Sequence, residues 1–145
     1  MHSGFTAIEV TVALTVIGIL VGVAVPRFAA LRDRALVRGA ANDIASALAA
    51  TRHAAVVRAS RAALRLDTLS ATILVQSPRA LLLDTLLVRP LAAVHPGVAL
   101  EATRDSIAYA PTGLGYGAAN ATIVVRLRQA RETLWVSRLG RVRRQ

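Results

Sequence analysis

The segment Gly4-Phe5-Thr6-Ala7-Ile8-Glu9-Val10 opens an almost unbroken apolar run that continues to Val25. Between Phe5 and Val25, Glu9 is the only charged residue. As a helix rising roughly 1.5 Å per residue, this run is long enough to cross about 30 Å of hydrocarbon. An ionised glutamate inside a bilayer costs a few kcal/mol on insertion scales, so Glu9 requires either a partner or a function.

Two simpler interpretations of this N-terminus stay open: an ordinary transmembrane anchor and a cleaved secretory signal. A secretory signal has a basic region before its apolar core and a small-residue cleavage site after it. Here Gly4 precedes the core, and no A-x-A-like site precedes Pro26. These two features argue against cleavage after the apolar run.

The segment from Gly4 to Val10 resembles the processing site of type IV prepilins and type II secretion pseudopilins. This resemblance implies that residues 1–4 are a leader peptide, which a prepilin peptidase removes by cutting between Gly4 and Phe5. It further implies that the new amine of Phe5 is methylated. It also implies that Glu9 pairs with the N-terminus of a neighbouring subunit during filament assembly.

The leader departs from the family pattern in its charge. Leaders of this class usually carry Lys or Arg, whereas Met1–Gly4 has neither, and Arg27, Arg32 and Arg34 follow the span. By the positive-inside rule this distribution favours the opposite orientation. Either His2 and the amino terminus supply the charge, or translation starts upstream.

A helical pattern continues beyond the apolar run, in residues 26–60. Pro26 is expected to kink this helix, because it removes a backbone donor and clashes with the preceding turn. A single helix from Phe5 to about Ser60 would be roughly 84 Å long, which suits a filament better than a small globular domain. Residues at spacings of three and four share one face of it: Val37, Ala41, Ile44, Leu48, Thr51 and Ala55.

The pattern changes after Arg61 to short apolar runs separated by turn residues. This spacing predicts a small, mostly antiparallel β domain over residues 61–145, and hence an α+β fold with a type IV pilin-like long helix. Gly113–Gly117 is expected to be a flexible loop. The predicted strands are Ala63–Leu66, Thr72–Val75, Ala80–Asp84, Val98–Glu101, Ile107–Tyr109, Ile123–Leu127 and Leu134–Val136.

The C-terminal half narrows the resemblance. Ile107-Ala-Tyr-Ala-Pro111-Thr-Gly113 is followed by Thr122-Ile-Val-Val125 and by Val136-Ser-Arg-Leu-Gly140-Arg-Val-Arg143. This order is similar to the closing pattern of the GspH/FimT family, which contains H-type pseudopilins of type II secretion and minor type IV pilins. The resemblance covers both ends of the chain, with a divergent middle.

Composition limits the chemistry. The chain has no cysteine, which excludes a disulfide framework, a Cys-based zinc site and a thiol nucleophile. The three histidines are far apart, no H-E-x-x-H spacing occurs, and the acids form no calcium-loop pattern. We therefore expect no enzyme activity, no metal and no cofactor.

The net charge of +10 suits a polyanionic partner, and the tail Arg138-Leu-Gly-Arg-Val-Arg-Arg-Gln145 is the candidate site. In an extended strand Arg141 and Arg143 share a face, and guanidinium groups suit phosphate oxygens. Some FimT-type minor pilins bind DNA through a matching Gly-Arg-x-Arg tail, although a similar tail also closes members assigned to secretion. Arg126 and Arg128 show the same spacing on an earlier strand. The candidate DNA-binding residues are Arg141, Arg143, Arg144, Arg138, Arg126 and Arg128.

Two functional hypotheses follow, and a monomeric membrane-anchored basic domain is a third alternative. In the first, the chain is a minor pseudopilin of type II protein secretion, anchored in the inner membrane by residues 5–25 with its C-terminal domain in the periplasm. Its partners would be the prepilin peptidase, other pilin or pseudopilin subunits and the inner-membrane assembly platform. In the second, it is a DNA-binding minor type IV pilin that acts in DNA uptake.

Overall fold

The computed structural model describes residues 6–79, 82–117 and 120–145. The chain divides into two compact units, Met1–Arg32 and Asp33–Gln145. The boundary falls inside helix α1, which runs from Ala7 to Val57 over 51 residues.

Helix α1 begins with a capping box. Thr6 precedes its first turn, and the Thr6 hydroxyl accepts a hydrogen bond from the backbone N–H of Glu9 at 3.3 Å. In return the Thr6 backbone N–H donates to Glu9 Oε2 at 3.0 Å. This reciprocal pair satisfies backbone donors that the first turn leaves without partners. The helix continues through Pro26, and the predicted kink at that residue stays a prediction.

In the first unit the apolar side chains of the helix are exposed. Ile8 is 74% exposed, Leu14 64% and Ile19 63%. The helix is long and apolar enough to cross a membrane. A helix that is apolar on all sides requires an apolar environment, which a membrane or a bundle of like helices provides.

In the second unit the same helix has one buried face. Every residue that the spacing placed on that face is buried, and Ala40 and Ala47 extend it. The single polar member, Thr51, donates its hydroxyl to the backbone carbonyl of Ala47 at 2.6 Å, so its burial leaves no donor unpaired.

Nine strands and a second short helix follow within the described ranges. All strand pairings are antiparallel. The strands are β1 Ala62–Asp67, β2 Thr72–Arg79, β3 Leu82–Pro90, β4 Ala99–Ala102, β5 Ser106–Tyr109, β6 Gly115–Tyr116, β7 Ala121–Leu127, β8 Ala130–Val136 and β9 Val142–Arg144, with helix α2 Leu91–Val94 between β3 and β4.

The strands form two sheets. Among the described residues the first sheet has the order β3-β2-β1-β5-β6 and the second the order β4-β7-β8-β9. One apolar core joins the buried face of α1 to both sheets, through side chains such as Leu64 and Ile73 in the first and Ile123 and Leu134 in the second. The predicted α+β fold with a long helix on antiparallel sheet is therefore confirmed.

The structure corrects the expectation that Gly113–Gly117 is a flexible loop. Gly115 and Tyr116 form β6, which pairs with β5. The Gly115 N–H donates to the Arg138 carbonyl at 2.8 Å, and the Arg61 guanidinium lies 3.7 Å from the centre of the Tyr116 ring. Both contacts come from distant parts of the sequence, and a cation over an aromatic ring is attracted to it.

Candidate functional site

The predicted processing site lies outside the described residues, because these begin at Thr6. Glu9, the predicted assembly residue, is described and lies in the first helical turn. Its Oε2 accepts hydrogen bonds from both the backbone N–H and the hydroxyl of Thr6, each at 3.0 Å. The carboxylate is thus held next to the residue that follows Phe5.

The outward face of the second sheet carries the candidate DNA-binding residues Arg141 and Arg143. In β9 the half-buried Val142 packs against the core, whereas Arg141 and Arg143 on either side of it are exposed. Arg143 pairs with Trp135 across the sheet, and Trp135 is 39% exposed. The exposed Arg143 is therefore the direct cross-strand neighbour of an exposed indole, and Arg141 is exposed two residues before it.

The turn between β8 and β9 presents Arg141 to solvent. The Gly140 N–H donates to the Ser137 carbonyl at 2.9 Å, and the Ser137 N–H donates to the Arg141 carbonyl at 2.9 Å. Gly140 has a φ of 73°, a left-handed conformation that suits glycine at the end of a three-residue hairpin loop. A Cβ atom at Gly140 would also lie 3.1 Å from Cε1 of Tyr109. The glycine before Arg141 is therefore required by the turn.

The other candidate arginines do not all join this face. Arg128 lies in the β7–β8 turn with a φ of 52°, not on a strand, so the predicted strand spacing with Arg126 is wrong. A tight hairpin needs a left-handed residue at its turn, and Arg128 takes that place. Arg126 Nη2 lies 2.7 Å from Glu101 Oε1, and Arg128 Nη1 lies 3.3 Å from Asp33 Oδ2. Their charges are thus already matched.

Arg144 and Arg138 also differ from Arg143. Arg144 shares the face of Val142 and donates from Nη1 to the Asn42 side-chain carbonyl on α1, so it lies on the helix side of β9. Arg138 is exposed in the β8–β9 turn. Alternation along the strand thus separates the consecutive arginines 143 and 144 onto two faces.

Sequence reasoning missed one polar cluster. Asp43 on α1 accepts from Arg89 at 2.5 Å through Oδ1, and its Oδ2 lies 2.9 Å from His95 Nε2. The three residues are far apart in the sequence. The one sequence feature that pointed to this cluster is Asp43 itself, an acidic residue next to the apolar face of a helix. Nowhere in the described ranges do three or more His, Asp or Glu side chains form a group that could hold a metal.

The fold is similar to those of minor pilins and pseudopilins. The type IV minor pilin FimU of Pseudomonas aeruginosa aligns with a TM-score of 0.65 and 12% identity, over 79% of this chain and 92% of FimU. The minor pseudopilin EpsH from the type 2 secretion system of Vibrio cholerae aligns with a TM-score of 0.61 and 11% identity, over 75% of this chain and 95% of EpsH. These similarities confirm the pilin fold that the resemblance implied.

Sequence comparison adds no further relative. No protein-family profile matches the chain, and no curated protein matches it in sequence.

Proposed function

We propose that this chain is a minor subunit of a pilin-class filament, most simply the pseudopilus of a type II secretion system. The observation that carries this proposal is the division of one helix into two parts. Its first part is apolar and exposed, with Leu14 at 64%, whereas its second part buries one face against two sheets. The fold is similar to those of FimU, a type IV minor pilin, and of EpsH, a minor pseudopilin of a type 2 secretion system.

In this proposal the exposed part of α1 has two successive environments. Before processing, residues 5–25 hold the chain in the inner membrane. The second unit, Asp33–Gln145, which we call the globular unit, then lies in the periplasm. A prepilin peptidase then cuts after Gly4 and methylates Phe5. The assembly platform extracts the subunit, and the same apolar surface packs against neighbouring subunits. The role is structural, with no enzyme activity of its own.

During assembly the negative charge of Glu9 would pair with the positive amine of a neighbouring subunit. A carboxylate transferred into an apolar filament core loses hydration, and a positive amine from a neighbouring Phe5 offsets that cost. The Glu9 carboxylate accepts a hydrogen bond from the backbone N–H of Thr6 in its own chain. Thr6 thus orients the acid before any partner arrives.

Processing and assembly are tested together by co-expression with a prepilin peptidase and filament components. The intact mass should show loss of Met1–Gly4 and the gain of one methyl group. Glu9→Gln should still be cleaved but fail to enter filaments. Glu101→Gln, an equal charge loss in the globular unit, should assemble normally. An uncleaved chain would contradict the proposal.

DNA binding is a second candidate function, favoured by one specific observation. Arg141 and Arg143 are exposed, and within the described part of the chain neither pairs with a carboxylate. Arg143 is also the cross-strand partner of the exposed Trp135. Guanidinium groups contact phosphates, and an exposed aromatic ring can stack on an unpaired base. Such a surface suits a subunit of a DNA-uptake pilus.

The two functions are separated by DNA binding of the full chain in neutral detergent. For the second function, Arg141→Ala with Arg143→Ala should abolish binding, and the slope of log affinity against log salt should be about −2 for two phosphates. The matched pair Arg126→Ala with Arg128→Ala removes the same charge from ion-paired positions and should have little effect. Equal losses of DNA affinity from both pairs of substitutions would indicate diffuse charge attraction. The secretion role would then be the better-supported function.

A further inference from the structure

Four arginines line an open cleft in the globular unit, between residues of α1, β8 and β9. The cleft has a volume of about 510 Å³. Two of the arginines, Arg34 and Arg38, lie on α1, and the others are Arg131 on β8 and Arg144 on β9. We call this the arginine cleft. It is separate from Arg141 and Arg143, which do not line it.

The arginine cleft is short of negative charge. Glu132 is the one carboxylate side chain among the described residues that line it. Of the ion pairs found in the described ranges, none involves the four arginines. Arg144 is instead held by Asn42, a neutral partner. Arginines that line one concave surface without carboxylate partners raise the local positive potential and attract an anion.

The chemistry of the cleft selects the kind of anion. Guanidinium groups form paired hydrogen bonds with phosphate oxygens, and several of them can share one phosphate. The volume is within the range of sites for small ligands, and Gln129 and Gln145 add amide groups to the lining. A phosphate group that carries a small polar substituent fits this description.

The position of the cleft in the sequence indicates which kind of molecule supplies the phosphate. Arg34 and Arg38 are nine and thirteen residues beyond Val25, the end of the apolar segment, so the chain tethers the cleft to that segment. We propose that the arginine cleft binds the phosphate of an anionic phospholipid headgroup while the subunit is anchored in the membrane. This inference rests on the membrane anchorage proposed above.

The test uses the full chain in neutral detergent, with short-chain phosphatidylglycerol, short-chain phosphatidylcholine and inorganic phosphate as probes. Native mass spectrometry counts bound lipid, and the thermal unfolding midpoint reports affinity. Phosphatidylglycerol should bind and raise the midpoint, whereas phosphatidylcholine should not. If inorganic phosphate binds as tightly as phosphatidylglycerol, the ligand is free phosphate and the lipid proposal is overturned. Displacement of the lipid by a short DNA duplex at equal phosphate concentration would overturn it in favour of DNA.

Matched variants locate the site. Arg34→Gln with Arg38→Gln should weaken phosphatidylglycerol binding by about tenfold or more, because charge-assisted hydrogen bonds are lost. Arg27→Gln with Arg32→Gln removes the same charge from the same helix outside the cleft and should leave binding unchanged. Glu132→Gln, which removes the opposing carboxylate, should strengthen it. Equal weakening by both arginine pairs would overturn the cleft as the site.

A separate measurement distinguishes failure of the cleft from failure of the anchor. The full chain is reconstituted into phosphatidylcholine vesicles and extracted with alkaline carbonate. Retention without selective phosphatidylglycerol binding overturns the lipid site and leaves the anchor intact. Release from the vesicles overturns the proposed anchorage and, with it, this inference.

Discussion

At the scale of single residues, Gly39 is required by its contact with His95. A Cβ atom at Gly39 would lie 2.6 Å from Cε1 of His95. The imidazole has little room to yield, since its Nε2 lies 2.9 Å from Asp43. We therefore expect Gly39→Ala to lower the free energy of unfolding by about 1–3 kcal/mol, despite the better helix propensity of alanine. Urea unfolding of the full chain in detergent measures this change.

The control for Gly39 is a double-mutant cycle. In a His95→Ala background the clash disappears, so adding Gly39→Ala should be neutral or stabilising. An equal loss in both backgrounds would show that the cost at Gly39 does not arise from the imidazole.

Tyr109 gives the fold a dependence on alkaline pH. The side chain is 1% exposed, and burial raises the pKa of Tyr109, while the nearby Arg52 guanidinium acts in the opposite direction. Near pH 10 an unfolded tyrosine loses its proton, whereas the folded Tyr109, with its raised pKa, loses it only at higher pH. The unfolded state then binds fewer protons, so the free energy of unfolding falls as pH rises.

The variant Tyr109→Phe should remove this part of the loss of stability at alkaline pH. Denaturant unfolding at neutral pH and at a series of values above 10 compares the two proteins, and the phenylalanine variant should show the shallower decline. The same decline in both would show that Tyr109 ionises equally in the folded and unfolded states.

At the scale of elements, the end of α1 contains a strained residue. The Ser60 N–H donates to the Ala55 carbonyl and the Ala59 N–H to the Val56 carbonyl, which is the Schellman pattern. Ala59 holds the left-handed position with a φ of 45°. Because a Cβ atom costs roughly 1–2 kcal/mol there, Ala59→Gly should raise the free energy of unfolding by about 1 kcal/mol.

The matched control is Ala50→Gly, at an exposed position inside the same helix. There glycine relieves no strain, so the substitution should lower the free energy of unfolding by about 1 kcal/mol. Chemical unfolding of both variants should therefore give changes of opposite sign. A loss of stability in Ala59→Gly would contradict the interpretation of this helix end.

Elements with a strong local pattern were predictable from the sequence. The buried face of α1 follows from apolar spacing, and every predicted strand run overlaps an observed strand. The sorting of strands into two sheets was not predictable, because it depends on pairings between distant segments, such as β1 with β5. The same reason applies to β6, which is fixed by contacts from Arg61 and from the Arg138 carbonyl.

The candidate sites show the same limit. The alternation rule placed Arg141 and Arg143 opposite Val142, in agreement with their exposure in the structure. It could not show that Arg126 and Arg128 are matched by Glu101 and Asp33, since those acids come from other elements. Local sequence therefore predicts on which face of a strand a side chain lies. It does not predict which side chain from another element pairs with it.

At the scale of the whole molecule, the two parts of α1 face different surroundings. Among the residues that the structure describes, the buried apolar core lies in the second unit, from Val37 to Val136. In the described part of the first unit the large apolar side chains of the helix are exposed, so they are available to a membrane or to other subunits. One continuous helix thus combines a surface for stability with a surface for association, and the two should respond differently to the same substitution.

This difference is measured by the same truncation in each part. Leu48 is 1% exposed and Leu14 is 64% exposed. Leu48→Ala should lower the free energy of unfolding by about 2–5 kcal/mol, because it leaves a cavity in the core. Leu14→Ala should leave thermal unfolding of the globular unit unchanged in detergent and instead reduce incorporation into filaments. Equal destabilisation by both substitutions would show that the apolar half of the helix contributes to the fold itself.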